Sequence, residues 1–220
     1  MVLAPVLLLI GVLLRLQFHF FFPQQLAAFA QHPSQMTAAY NFYLAGIIIL
    51  WPAVATLAWL IGRTRPGWAL WGGVFVIFGL FARTFYAGAD YMAFQMVRPL
   101  TTKVATETVA GSYGAFHLVS ALNGAILFGW IILAIGTYLS GTLGLIRSIA
   151  LALMSMLMMG VLKGSSWTSV VATSGLCIAL VPLGVKLLRA SPSPRLKAVL
   201  GWVALMMALI ALLFVLGQLG

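Results

Sequence analysis

Long apolar runs separated by short polar stretches dominate the chain. Each run is close to the roughly 20 residues that a helix needs to cross a bilayer. The apolar positions are continuous and do not alternate, which favours helices over the strands of a membrane barrel. Seven runs are predicted as transmembrane helices: residues 2–22, 37–62, 68–97, 113–139, 145–162, 167–188 and 198–219. Only residues 163–166 separate the fifth run from the sixth, and they are predicted to form a tight hairpin.

Composition leads to the same class of protein. Hydrophobic residues make up 63% of the 220 residues and charged residues 6%, whereas a soluble domain carries about a quarter charged residues. So few charged side chains cannot cover the surface of a water-soluble domain of this length. The sequence therefore predicts an all-α, polytopic integral membrane protein, with residues 1–220 forming a single domain that is a bundle of seven transmembrane helices.

Basic residues are unequally divided between the loops on the two sides of this predicted bundle. Seven lie on the side of the N-terminus: Arg63, Arg65, Arg147, Lys186, Arg189, Arg195 and Lys197. Three lie on the other side: Arg98, Lys103 and Lys163. Because cytoplasmic loops are enriched in Lys and Arg, we expect the N-terminus in the cytoplasm and the C-terminus outside. The expected location is the cytoplasmic membrane of a bacterial cell.

The net charge of +10 would suggest a nucleic-acid partner in a soluble protein. Here the basic residues are spread over short loops, so we expect no nucleic acid and instead contact with membrane lipids, including anionic headgroups on the cytoplasmic side. Cys177 is the only cysteine and cannot form an internal disulfide.

Three ionisable residues fall firmly inside predicted helices: Arg15, Arg83 and Asp90. A charged side chain at such a depth costs a few kcal/mol unless it has a partner or faces a cavity. Arg83 and Asp90 are two helical turns apart, about 10 Å along the axis, so they share one face with Tyr86 between them. This distance favours a bridging water or a third group over a direct ion pair.

The predicted orientation places most intramembrane polar residues in the outer half of the bundle. Asp90 lies in the outer third of its helix, His117 at a similar depth, and His19 one turn beyond Arg15. We therefore predict an outward-facing polar pocket that is closed below by apolar packing. Its predicted ligand-binding residues are Arg15, His19, Tyr40, Asn41, Arg83, Tyr86, Asp90 and His117.

The sequence does not contain the HExxH, GxSxG, P-loop or dinucleotide-binding patterns. We assign no catalytic residue, metal site or cofactor. The leading interpretation is a transport, resistance, immunity or sensory component that binds a small or amphiphilic ligand, working with a protein partner or as a homo-oligomer. One alternative is an intramembrane lipid-modifying or hydrolytic enzyme that uses Asp90 and His117. Another is a structural subunit of a membrane complex. No matching pair of broken helices is evident, which argues modestly against a self-sufficient secondary transporter.

The charge distribution generates a topology prediction. A reporter domain inserted after Pro192 should be cytoplasmic, and one fused after Gly220 should lie outside, because seven basic residues oppose three. Protease protection of the two reporters in intact cells measures this. A cytoplasmic reporter at Gly220 would show that the number of membrane crossings is not seven.

Overall fold

The computed structural model describes residues 1–112, 118–158, 160–190 and 196–219, and no strand occurs among them. The all-helical prediction is confirmed for this part of the chain. The first helices are α1 (Leu3–Arg15), α2 (Gln24–Gln31), α3 (Pro33–Gly62), α4 (Pro66–Met96) and α5 (Thr102–Ser112). The remaining ones are α6 (Leu118–Ala121), α7 (Asn123–Leu139), α8 (Leu145–Ala152), α9 (Trp167–Ala190) and α10 (Leu196–Leu219). A short 3₁₀ turn, Leu153–Met156, continues α8.

Four helical stretches within the described residues are long and apolar enough to cross a membrane: Pro33–Gly62, Pro66–Met96, Leu118–Leu139 and Trp167–Ala190. They match four of the seven predicted runs. The full seven-helix bundle is not confirmed, because the other apolar helices are shorter: Leu3–Arg15, Leu145–Met156 and Val199–Leu212. In two of the predicted runs the reason is visible, since the helix stops before the apolar sequence ends.

The first predicted run is interrupted at Arg15. Helix α1 ends there, and residues 16–23 form a non-helical segment, the α1–α2 loop, which leads into α2. Helix α2 then packs Leu26 and Phe29 into an apolar cluster that includes Phe94 of α4. The phenyl rings of Phe29 and Phe94 stack with centroids 4.8 Å apart. Burial of these apolar side chains stabilises the change of chain direction after α1, where a straight helix was expected.

The fifth predicted run is interrupted as well. Helix α8 ends at Ala152, the 3₁₀ turn ends at Met156, and the chain from Leu157 onward is not helical until Trp167 in the residues described. We call the described residues 157–158 and 160–166 the α8–α9 loop. The predicted tight hairpin at 163–166 is therefore only the last part of a longer non-helical segment. Gly160 has φ +96° and Leu162 has φ +51°, values incompatible with a continuous right-handed helix.

Glycines allow the central helices to approach closely. A Cβ atom at Gly72 of α4 would lie 2.8 Å from the Leu133 Cα of α7, and one at Gly129 of α7 would lie 2.8 Å from the Val76 nitrogen of α4. Helix α1 meets α3 in the same way, because a Cβ at Gly11 would lie 2.7 Å from the Tyr43 nitrogen. Small residues at such contacts are typical of helix packing in membranes, where van der Waals contact replaces the hydrophobic effect.

The chain divides into two compact units, Met1–Val185 and Lys186–Gly220. The first holds α1 to α8 and most of α9. The second holds the last residues of α9 and the whole of α10, a 24-residue helix. Side chains on α10 that are described, such as Trp202 and Ile210, are exposed and apolar.

The close packing of α4 against α7 predicts a position-specific effect of added methyl groups. Gly72→Ala should destabilise the fold by about 1–3 kcal/mol, because its Cβ would overlap the Leu133 backbone. Gly88→Ala, on the same helix, places its Cβ in open space and should leave the stability unchanged or slightly raised. Thermal unfolding in a mild detergent measures both. Equal losses for the two variants would contradict the close α4–α7 contact.

Candidate functional site

Charged side chains gather around one cavity, which lies toward the end of the bundle at which α3 begins and α4 ends. The described residues that line it are Arg15, Tyr43, Arg83, Tyr86, Ala87, Asp90, Met158, Gly160 and Lys163. They come from α1, α3, α4 and the α8–α9 loop. The cavity has a volume of about 20 Å³, which is room for one or two water molecules.

Arg83 connects α4 to the α8–α9 loop. Its side chain is 4% exposed, and its two terminal nitrogens donate hydrogen bonds to the carbonyl oxygens of Leu157 (2.8 Å) and Met158 (2.5 Å). It also donates to the Tyr43 hydroxyl of α3 at 3.2 Å. The two carbonyls follow the end of the 3₁₀ turn, where no further helical N–H group is available to them. Arg83 therefore supplies the hydrogen bonds that the interrupted helix lacks.

Asp90 binds the same loop as a hydrogen-bond acceptor, whereas Arg83 binds it as a donor. Its carboxylate is 6% exposed and accepts a hydrogen bond from the Leu162 backbone N–H at 2.5 Å. Leu162 has φ +51°, a left-handed conformation that is unfavourable for a residue with a branched side chain. Within the described residues, neither Arg83 nor any other basic side chain forms a salt bridge with Asp90. The two charges that share a face of α4 thus bind different backbone groups of one loop.

Arg15 is held by aromatic rings. It is the last residue of α1, its side chain is 1% exposed, and its Nε donates to the Gly11 carbonyl at 3.4 Å. Its guanidinium carbon lies 4.3 Å from the ring centroid of Tyr40 and 4.7 Å from that of Tyr43. Such cation–π contacts partly replace the hydration that the buried charge has lost.

The α1–α2 loop and the α8–α9 loop meet beside this cavity. The Gly164 N–H donates to the Phe20 carbonyl at 2.7 Å. A Cβ at Gly164 would lie 2.9 Å from the His19 carbonyl oxygen and 2.9 Å from the Phe20 Cα, so the two backbones touch. Gln25 of α2 donates to the same His19 carbonyl. The two interrupted runs are therefore joined to each other through their non-helical parts.

The structure distributes the sequence-predicted residues unequally. Four of them line the cavity: Arg15, Arg83, Tyr86 and Asp90. Tyr40 contacts the Arg15 guanidinium, but Tyr40 and Asn41 line a different crevice. His19 was expected on the face of Arg15 one turn further along; that expectation is wrong because α1 ends at Arg15, and the His19 side chain is exposed. His117 lies outside the described residues.

Sequence reasoning missed three components of the cavity. Tyr43 is not among the predicted ligand-binding residues, although its hydroxyl accepts a hydrogen bond from Arg83 and its ring contacts Arg15. Lys163 was assigned to a loop, yet it lines the cavity. The predicted fifth helix extends to residue 162, whereas the described residues 157–158 and 160–162 are not helical. Gly160, inside the apolar run, was the available signal of an interruption.

A second, larger crevice lies between α3 and α4. Its volume is about 190 Å³, and its lining residues are Phe29, Thr37, Tyr40, Asn41, Leu44, Ala87, Gly88, Tyr91 and Phe94. Ala87 lines both the cavity and this crevice, so the two are adjacent at that residue. The crevice is mostly apolar, whereas the cavity is lined by charged groups.

Metal chemistry has little support from the residues described, since they contain no group of three or more His, Cys, Asp or Glu side chains that could hold an ion. Comparison of the chain with family models, curated proteins and solved structures finds no match.

The contact between Asp90 and Leu162 predicts a difference between two substitutions. Asp90→Asn retains an oxygen that can accept the Leu162 N–H, so the fold should survive. Asp90→Leu leaves that buried N–H without a partner and should lower the free energy of unfolding by about 1–3 kcal/mol. Unfolding in detergent, followed by tryptophan fluorescence, compares the two. An equally stable Asp90→Leu protein would show that the Asp90–Leu162 bond does not support the loop.

Proposed function

We propose that this chain is an integral membrane protein that binds a small or amphiphilic molecule in the cavity lined by Arg15, Arg83 and Asp90, with access from the outer side. The location we propose is a bacterial cytoplasmic membrane. The role belongs to transport, resistance, immunity or sensing, in each of which a membrane protein must recognise a molecule that reaches it from outside.

The observation that carries this proposal is the burial of three ionisable side chains around the cavity, which is unfavourable in free energy. Burying ionisable groups in the apolar part of a membrane protein costs several kcal/mol, and residues that persist there usually serve a pathway or a binding site. Arg15, Arg83 and Asp90 are the charged side chains that are buried among the residues described, and most of the other buried side chains are apolar, such as Leu8, Ile47 and Trp130. A bundle that needed only cohesion could be made from these contacts alone.

The two interrupted runs give further support. Transporters commonly form their sites where discontinuous helices expose backbone groups near the middle of the bundle. Here the α1–α2 and α8–α9 loops meet beside the cavity through the bond from Gly164 to Phe20. Two interrupted runs that meet in this way support a transport role.

The proposal keeps the sequence-based topology. We propose seven membrane crossings, in which α1 with its loop and α8 with its loop each count as one and α10 is the last. The N-terminus is then cytoplasmic and the cavity opens to the outer side. The seven-to-three distribution of basic residues supports this orientation. We also propose that residues 1–220 act as one domain. This domain works as a homo-oligomer or with a protein partner.

Access to the cavity is tested with introduced cysteines in a Cys177→Ser background. Ala87→Cys lies on the wall that the cavity shares with the larger crevice, whereas Ala82→Cys lies on the same helix, fully buried and outside both linings. A charged, membrane-impermeant methanethiosulfonate reagent added to intact cells should modify Ala87→Cys and leave Ala82→Cys unmodified. Thr108→Cys, exposed on α5 at the proposed outer side, is the positive control.

Two results would contradict the proposal. Modification of Thr108→Cys without modification of Ala87→Cys would mean that the cavity and the adjoining crevice are closed to molecules from outside. Modification of Ala87→Cys only in inverted vesicles would mean that the cavity opens to the cytoplasm, which overturns the proposed orientation.

A further inference from the structure

The charges around the cavity do not balance. Among the described lining residues, Arg15, Arg83 and Lys163 are cationic, and Asp90 is the one carboxylate. The excess of positive charge lies in the protein interior, where the effective dielectric constant is low and charges interact far more strongly than in water. The nearest acidic alternative in sequence, Glu107, is exposed on α5 and does not line the cavity.

Asp90 does not neutralise this excess by direct contact. Its Oδ1 accepts the Leu162 N–H, and none of the basic side chains described forms a salt bridge with it. Lys163 is half-buried, with its ammonium group 5.0 Å from the ring centroid of Phe21 and 5.9 Å from that of Phe20. Each cation is thus held by rings or carbonyls, and none of them by a carboxylate.

Two of the cations also retain hydrogen-bonding capacity. Arg15 Nη2 and Arg83 Nε are buried and have no hydrogen-bond partner among the residues described. The two side chains are 99% and 96% buried, so these N–H groups are not satisfied by the general surroundings. A buried donor without an acceptor costs about 1–3 kcal/mol, more when the group is charged. A ligand that carries negatively charged oxygens supplies the acceptors that these two donors lack.

The size of the cavity limits what can enter. Room for one or two water molecules accommodates the two oxygens of a carboxylate, or two oxygens of a phosphate group whose other oxygens stay outside, and it excludes a whole drug-sized molecule. An anionic end group can therefore occupy the cavity while the rest of the molecule lies outside it.

We infer that the cavity is an oxyanion site, in which Arg15, Arg83 and Lys163 bind the carboxylate or phosphate end of the ligand. This inference rests on the proposed function and gives it a substrate class. Arg83 and Asp90 hold the α8–α9 loop in place, while Arg15 and Lys163 provide the charge that no protein carboxylate contacts. Guanidinium groups are well suited to this role because they donate several parallel hydrogen bonds to oxyanions.

The oxyanion could be a free small anion or the head of an amphiphile. The adjacent crevice between α3 and α4 provides an apolar surface beside the cavity at Ala87, which suits a hydrocarbon chain. The two sources share the same head-group chemistry, and a matched pair of probes separates them.

The test uses the purified full chain in dodecyl maltoside and measures its Tm. Sodium phosphate is compared with sodium chloride at equal ionic strength, and dodecyl phosphate with dodecyltrimethylammonium at the same small mole fraction in the micelle. A ligand that binds the folded state raises the Tm. We expect phosphate or dodecyl phosphate to raise it above the matched control. A rise with phosphate identifies a free anion as sufficient, whereas a rise with dodecyl phosphate alone identifies the amphiphile.

Charge-removing variants locate the effect. In Arg15→Gln the concentration of the stabilising anion that gives half of the Tm rise should increase at least about tenfold, whereas Arg98→Gln, an exposed arginine, should match the wild type. Lys163→Gln should weaken the response in the same direction, and Lys103→Gln, exposed on α5, should not. If Arg15→Gln does not fold, the Lys163 and Lys103 pair decides.

The inference is overturned if neither anion raises the Tm above its control, if the cationic amphiphile stabilises more than the anionic one, or if the cavity variants respond like their exposed controls. These outcomes are separable from failure of the proposed function. Modification of Ala87→Cys from outside together with no response to anions would leave an accessible cavity that is not an oxyanion site.

Discussion

A backbone that leaves the helical conformation inside an apolar bundle must find hydrogen-bond partners from side chains, because no water or lipid there can provide them. The α8–α9 loop meets this requirement with two oppositely charged residues of one helix. Arg83 donates to the carbonyls of Leu157 and Met158, and Asp90 accepts the Leu162 N–H. The seven-residue spacing along α4 places one charge at each of these positions. The loop that these two side chains hold in place forms one wall of the cavity, with Met158, Gly160 and Lys163 in its lining.

The two charges have a structural role that does not account for all the polar chemistry beside them. Arg83 uses its terminal nitrogens for the loop and keeps Nε free of a protein partner in the region described. Arg15 and Lys163 contribute nothing to the loop carbonyls that Arg83 binds, yet they line the same space. A purely cohesive network would be expected to pair its charges, since an uncompensated buried charge is costly. The proposed oxyanion site rests on this unpaired excess of positive charge.

The sequence predicted the helical class and four long apolar helices, because length and hydropathy of a run are local properties. It also identified Arg15, Arg83 and Asp90, since a charge inside an apolar run is evident without any knowledge of the fold. It could not predict that the first and fifth runs are interrupted. Hydropathy does not distinguish a helix from an apolar loop, and the backbone groups of Leu157, Met158 and Leu162 find their partners in Arg83 and Asp90, more than 70 residues away in sequence. The same limitation misplaced His19, whose predicted face depended on α1 continuing past Arg15.

Leu162 shows what this mode of support implies for the length of the chain. Its N–H binds Asp90, while its side chain is fully buried in the cluster with Leu26, Phe29 and Phe94. Two residues later, Gly164 binds the Phe20 carbonyl in a space too narrow for a side chain. The positions of Leu162 and Gly164 along the loop are therefore set by two contacts, one with Asp90 and one with Phe20. An inserted or deleted residue between Met158 and Gly164 would displace one of these contacts, so this loop should tolerate changes of length less well than most connections do.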